Sequence, residues 1–234
     1  MSNFIVNPYS FGSSSIYPNG LGSSADGTNT SITLNESDQK LGTGCYEFNG
    51  SSSRVNITAT IPTANNYSIS SWVYMDSGIA TGDATWRMLF NGSWGLTIYY
   101  SATPDTLKVE FANAGSGAIT PDAISGEEWH LLTVVNDSGT FTYYVDGSSA
   151  GTATTASASS GSDFSIGADG TGNLWSGLID DTCIWQTSLS SANVTALWNS
   201  GDGVLANTVN PGDITCYYNF DSDTDDKLIN QAIP

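Results

Sequence analysis

The chain has 234 residues, with 23 Asp and Glu against 5 Lys and Arg and a formal net charge of −18. That balance repels phosphate backbones and anionic headgroups, which excludes nucleic acid and acidic membrane surfaces as partners. No stretch is long and apolar enough to span a bilayer, so no membrane insertion is expected.

With 25 Gly and abundant Ser and Thr, but no long apolar repeat of helical period, the composition favours many short strands joined by small-residue turns. The acidity has two readings: solubility in a salty medium that screens self-repulsion, or carboxylates that bind Ca²⁺. Residues 1–40 are rich in Ser, Gly and Asn. Their apolar cluster of Phe4, Ile5, Val6, Tyr9 and Phe11 reads as an arm and first strand packed on the body. Met1 to Phe11 has neither a basic nor an apolar signal region, so synthesis without classical export is expected.

Strand signals begin at Cys45. Tyr46 and Phe48 alternate with polar neighbours up to the Asn49-Gly50 turn, and Val55, Ile57 and Ala59 follow. Tyr67 to Met75 forms a strand carrying Trp72. Arg87 to Phe90 comes next, then Trp94, Leu96, Ile98 and Tyr100, and then Leu107, Val109 and Phe111, each set at period two. Trp129 to Val135 is a longer apolar run suited to the middle of a sheet. Phe141, Tyr143 and Val145 lead into Asp146-Gly147, a two-residue hairpin signal. Ala150 to Gly161 reads as a connection. Strands resume at Phe164–Ile166, Leu178–Trp185 and Cys216–Phe220. One short helix is predicted over Ser191–Asn199, with Ser190 as N-cap, Gly201 at the left-handed C-terminal position, and Val194, Leu197 and Trp198 on the covering face. Three irregularly spaced cysteines, Cys45, Cys183 and Cys216, read as small buried hydrophobes without a disulfide. His130 reads as a strand residue satisfied by a neighbour.

Five segments together carry a family resemblance. Glu128-Trp129-His130-Leu131-Leu132-Thr133-Val134-Val135, followed by Phe141-Thr142-Tyr143-Tyr144-Val145-Asp146-Gly147, resembles the central hairpin of laminin-G-like, concanavalin A-like lectin/glucanase domains. In the same order, Phe48-Asn49-Gly50 with Val55, Ile69-Ser70-Ser71-Trp72-Val73, and Ile166-Gly167 with Gly177-Leu178-Ile179-Asp180-Asp181, Leu189-Ser190 and Leu197-Trp198 are similar to that family's other strands and helix. The resemblance spans residues 44 to 220. It implies an all-β, two-sheet antiparallel jelly-roll sandwich with one short helix: an arm at 1–40 and the sandwich over 41–234. Trp72 and Trp129 are expected to fill the space between the sheets.

Some relatives with this sandwich cleave glycans, which requires two flanking carboxylates. Only five Glu are present, the Glu-x-Asp-x-x-Glu signature is absent, and the adjacent Glu127 and Glu128 would point to opposite faces of a strand. A non-enzymatic role is expected. Candidates for sugar contact are Trp86, Trp94 and Trp175, with Tyr99 and Tyr100, beside Asp83, Asn91 and Asn173; Trp86 and Trp175 are expected at the surface because their surroundings are polar and Gly- and Thr-rich. Candidates for Ca²⁺ are Asp180 and Asp181, where the resemblance implies a structural ion, and the Asp221, Asp223 and Asp225 run. The opening Met1-Ser2-Asn3-Phe4-Ile5-Val6-Asn7-Pro8-Tyr9 resembles the start of laminin-G-like proteins of tailed phages. It implies a virion-surface protein of capsid decoration, tail or fibre that meets other virion proteins through the arm, adheres to glycans and assembles as a homo-oligomer. The alternatives are a secreted or cell-surface carbohydrate-binding module and, more remotely, a glycoside hydrolase.

Overall fold

In the computed structural model, the residues described are 25–60, 66–76, 86–91, 96–100, 107–110, 126–154, 162–168, 174–222, 227–228 and 230–232; for 86–91, 96–100, 107–110 and 227–228 the description is of the backbone. The strands are, in chain order, β1 (Gly27–Thr30), β2 (Thr33–Asn35), β3 (Cys45–Asn49), β4 (Arg54–Thr60), β5 (Asn66–Met75), β6 (Trp86–Asn91), β7 (Leu96–Tyr100), β8 (Leu107–Glu110), β9 (Trp129–Asp137), β10 (Thr140–Val145), β11 (Ser148–Thr154), β12 (Ser162–Ile166), β13 (Ser176–Trp185), β14 (Ile214–Tyr218) and β15 (Lys227–Leu228). One helix, α1 (Ser191–Trp198), precedes β14.

The strands form two antiparallel sheets. One runs β15-β1-β4-β12-β6-β7-β8; the other runs β11-β10-β9-β5-β13-β3-β2, with β14 also paired to β13. The core between them consists of inward residues at period two: Tyr46 and Phe48 of β3, Val55 and Ile57 of β4, Ile69 and Val73 of β5, Leu132 and Val134 of β9, and Ile179 and Ile184 of β13. Phe164, Ile166, Trp175 and Tyr218 complete it. This is the expected sandwich, and the described residues between β1 and β14 build it together.

The eight-stranded sheet is apolar on its outer face as well. There Trp72, Leu131, Val135, Tyr144, Cys183, Trp185 and Tyr217 pack beneath Leu189, Val194, Leu197, Ala206 and Val209. Trp72 was expected between the sheets. Its position on β5, out of phase with Ile69 and Val73, instead directs it outward, where it stacks on Trp198 of α1 with ring centroids 5.3 Å apart. α1 starts as predicted. The Ser190 hydroxyl accepts from the Asn193 amide, and the Asn193 side chain accepts in turn from the Ser190 amide. It ends one residue before the predicted Asn199, because Asn199 (φ 46°) itself takes up the left-handed conformation.

The Asp146-Gly147 hairpin forms as expected. Both residues have positive φ (52° and 74°) and Val145 pairs with Ser148. A Cβ on Gly147 would lie 2.7 Å from Trp198 Cβ, so this turn also needs glycine to admit α1. β11, which takes up residues 150–154 of the stretch read as a connection, pairs along β10. All three cysteines are buried and free. Burial pushes the thiols of Cys45 and Cys216 up to about 12 and that of Cys183 well up, which makes them inert.

Candidate functional site

The cover on the outer face stops short of one end of the sheet, where four side chains from adjacent strands stand in a row. Leu178 of β13 pairs with Glu47 of β3 on one side and Tyr74 of β5 on the other, and Tyr74 pairs with Trp129 of β9. At about 4.8 Å between neighbouring strands, the row spans about 14 Å. It is the floor of a cleft of about 440 Å³ whose walls are Asn35, Asp38, Gln39 and Asp76. That volume is within the range of small-molecule sites.

The floor is aromatic and only half-buried. Tyr74 and Trp129 meet edge to face, 5.8 Å between centroids, and Leu178 fills the row beside them. Trp129 was expected between the sheets. As the first residue of β9 it is in phase with Leu131, and so faces outward. Its indole Nε1–H donates to the Asp38 carbonyl at 3.2 Å, which fixes the ring against the wall. The wall is a built turn: Asn35 Oδ1 accepts from the amides of Ser37 (2.9 Å) and Asp38 (3.0 Å), and Asn35 Nδ2 donates to Asp38 Oδ2 (3.1 Å). Asp76 Oδ2 accepts from the Ser176 hydroxyl at 3.0 Å. An apolar ring surface rimmed by hydrogen-bonding groups is the composition that holds a sugar, whose C–H face packs on the ring while its hydroxyls meet the rim.

The wall is anchored by a bulge in β13. Asp180 pairs with Trp72 and Cys183 with Ser70, so one extra residue is inserted, and Asp181 has φ 44°. The insertion turns both carboxylates to the outer face. Asp180 Oδ2 accepts from the amides of Lys40 and Leu41, each at 2.9 Å. Asp181 Oδ2 accepts from the Ala206 amide (2.8 Å) and its Oδ1 from the Tyr217 hydroxyl (2.7 Å). Asp180 therefore positions the segment that carries Asp38 and Gln39, and Asp181 holds down the cover. Burial raises the Asp180 carboxyl to about 8, although the Lys40 and Leu41 amides pull it down; burial raises Asp181 to about 7 against its bonds to Tyr217 and Ala206.

Of the residues singled out from sequence for sugar or Ca²⁺, Trp175, Asp180, Asp181 and Asp221 are described with their side chains, and none of them lines the cleft. Trp175 is fully buried, a correction to its expected exposure: it packs in the core between the sheets, with its backbone bonded to Gly50 and Gly167. Trp86 and Asn91 lie at the ends of β6 and Tyr99 and Tyr100 on β7, where the description is of the backbone. Asp83, Trp94 and Asn173 lie outside the described residues, as do Asp223 and Asp225. Asp221 accepts from the amides of Thr43 and Gly44 and from Asn219 Nδ2. Asp181 and Asp221 thus give both carboxylate oxygens to the protein's own donors, and Asp180 gives Oδ2, while its Oδ1 is buried without a hydrogen bond. Among the described residues no three acidic, His or Cys side chains come together to hold a metal ion. His130 is buried, its Nδ1 2.7 Å from Asp146 Oδ2, and Asp146 Oδ1 accepts from the Leu131 amide. It braces the hairpin turn, the satisfied neighbour its strand position implied.

Two stacked antiparallel sheets with this strand order and an aromatic cleft on one outer face define a lectin/glucanase-type sandwich. The chain belongs to the concanavalin A-like lectin/glucanases superfamily, which residues 49–195, more than half of the sequence, match. No curated protein sequence matches it. Among solved structures it is similar to the receptor-binding domain of botulinum neurotoxin type G (18% identity, 75% of this chain and 46% of that one, TM-score 0.53). It is also similar to domain 4 of AbnA, an extracellular arabinanase of Geobacillus stearothermophilus, solved with arabinotriose (19%, 73% and 85%, TM-score 0.50). A third is the enzymatically active domain of tailspike protein 2 of bacteriophage CBA120 (10%, 88% and 34%, TM-score 0.62). The chain spans under half of the neurotoxin domain and about a third of the tailspike domain. At these identities the likeness is one of fold.

Proposed function

We propose that the chain is a non-enzymatic, glycan-adhesive protein of a phage virion surface. The observation that carries the adhesive part is the cleft on the outer sheet face, with Tyr74 and Trp129 as its floor and Asn35, Asp38, Gln39, Glu47 and Asp76 around it. Its polar groups are presented by a turn and by strand ends already locked by hydrogen bonds, so little ordering remains to oppose binding. Binding without cleavage is supported by the exposure of Asp38, Glu47 and Asp76, because a glycosidase general acid is commonly a desolvated carboxyl. The arabinotriose complex of AbnA domain 4 supports sugar binding by this type of fold. The virion assignment is supported by the phage-like opening Met1–Tyr9 and by the tailspike likeness; the opening itself lies outside the described residues.

A glycan array probed with the full chain, with and without chelator, tests adhesion and any need for Ca²⁺. Binding to no glycan would overturn the adhesive reading, and release of reducing ends from a bound oligosaccharide would overturn the non-enzymatic one. Mass spectrometry of purified particles of the encoding phage should detect the chain, and deletion of residues 1–12 should release it. Its absence from particles would remove the virion assignment.

A further inference from the structure

The cleft has a charge preference that its shape alone does not set. Its lining contributes three carboxylates, Asp38, Glu47 and Asp76, and no Lys, Arg or His. The cation nearest in sequence, Lys40, is turned away: its ammonium donates to the Gly201 carbonyl and sits 4.5 Å from the centroid of the Trp72 ring, beneath the cover. Two of the three carboxylates are held by neutral donors, and among the described residues none is paired with a cation. Asp38 Oδ2 takes a proton donor from Asn35 and Asp76 Oδ2 one from Ser176, both neutral groups. The ring faces of Tyr74 and Trp129 also attract positive charge. A ligand entering here meets three carboxylates around an aromatic floor, in a chain whose net charge is −18.

From this we infer that the cleft selects saccharides bearing protonated amino groups over neutral ones and rejects anionic saccharides such as uronates. The inference rests on the glycan-binding reading. An ammonium on a sugar placed over Trp129 gains both ring and carboxylate attraction, whereas a sugar carboxylate or sulfate would face three like charges with no compensating cation. Neutral sugars keep the stacking and hydroxyl contacts alone.

The test titrates the full chain at pH 6 with three β-1,4-linked oligosaccharides of equal length: glucosamine, N-acetylglucosamine and a uronate. Calorimetry is run at low salt and at about 0.5 M salt. The amino form should bind about tenfold tighter than the neutral form, and the uronate about tenfold more weakly, with both gaps narrowing in salt. Glu47→Gln and Asp76→Asn should each lower affinity for the amino form several-fold and lower affinity for the neutral form by clearly less. Asp137→Asn, at the far end of β9 and about 26 Å along the strand from Trp129, should change neither. Equal or better binding of the neutral or anionic form would overturn the inference. So would an Asp137→Asn effect as large as that of Glu47→Gln, which would assign the preference to net charge. Array hits confined to neutral glycans would sink this inference and leave the adhesive reading standing. No saccharide binding in either experiment would remove both.

Discussion

Asp180 and Asp181 make stability depend on pH in a direction opposite to that of an ordinary surface carboxylate. Burial holds the folded-state values at about 8 and about 7, above the usual 3.8 of an exposed Asp. Between pH 5 and 7 the folded chain therefore binds more protons at this bulge than the unfolded chain does. Stability is fully present below about pH 4 and is lost as pH rises through 7 to 8. The two carboxyls are adjacent and titrate as a pair, so the pair is counted as retaining one proton. One proton corresponds to about 1.4 kcal/mol per pH unit, which puts the effect on the order of a few kcal/mol between pH 5 and 7. That is a substantial share of the 5–15 kcal/mol typical of a domain. Urea unfolding at pH 5, 6, 7 and 8 measures the slope. Self-repulsion among the surface carboxylates acts in the same direction but is screened over a few Å at about 0.5 M salt, so the measurement belongs there. Asp180→Asn keeps a carbonyl to accept from Lys40 and Leu41 while removing the buried charge, and should flatten the slope. A flat or reversed profile at high salt, or a slope unchanged in Asp180→Asn, would refute the reasoning.

Further outcomes follow from single contacts. Trp129→Ala removes about 100 Å² of stacking surface, worth about 2.5 kcal/mol, so glycan affinity should fall about 60-fold by calorimetry, while Trp129→Phe, which loses only the bond to the Asp38 carbonyl and part of the ring, should lose less. Asp180→Ala should weaken glycan binding by freeing the Lys40–Leu41 segment, whereas Asp181→Asn should lower the urea midpoint and leave affinity per folded molecule unchanged. Ser190→Ala should cost about 1 kcal/mol in urea unfolding through loss of the capping box. Gly147→Ala should cost about 2 kcal/mol or more, because it combines a left-handed φ with a clash against Trp198.

The strands β3 to β10 and β12 to β14, and the helix, were legible because their apolar residues keep a period, whereas β1, β2 and β15 carry no such period. Tyr46 and Phe48, Phe141 and Tyr143, and Val194 and Leu197 are in phase with the core faces they cover. β11 was not legible. Ser148 to Thr154 has small side chains on both faces and is a strand only because β10 lies beside it. The cleft was hidden for a different reason. Period two states which residues share a face, but not whether that face is covered. Trp72, Tyr74, Trp129 and Leu131 all point to the same side of the eight-stranded sheet; α1 and the segment around Ala206 cover the inner pair and leave the outer pair open. Trp175 misled in the converse way, since polar neighbours in sequence surround a ring that the sandwich encloses.

That division of one sheet face originates in a single inserted residue. Without the bulge at Asp180 and Asp181, β13 would alternate regularly and one of the two carboxylates would be directed into the core between the sheets, where no partner could offset its desolvation. With it, both face outward at the boundary between cover and cleft. One carboxylate ties the cover down at Ala206 and the other fixes the turn whose carbonyl holds Trp129. The charged pair is costly to bury, which is why its carboxyls are pushed toward protonation. Its effect is to place the cleft wall by hydrogen bonds from a central strand, a rigid element, so that the rim of the site does not depend on the loop's own rigidity.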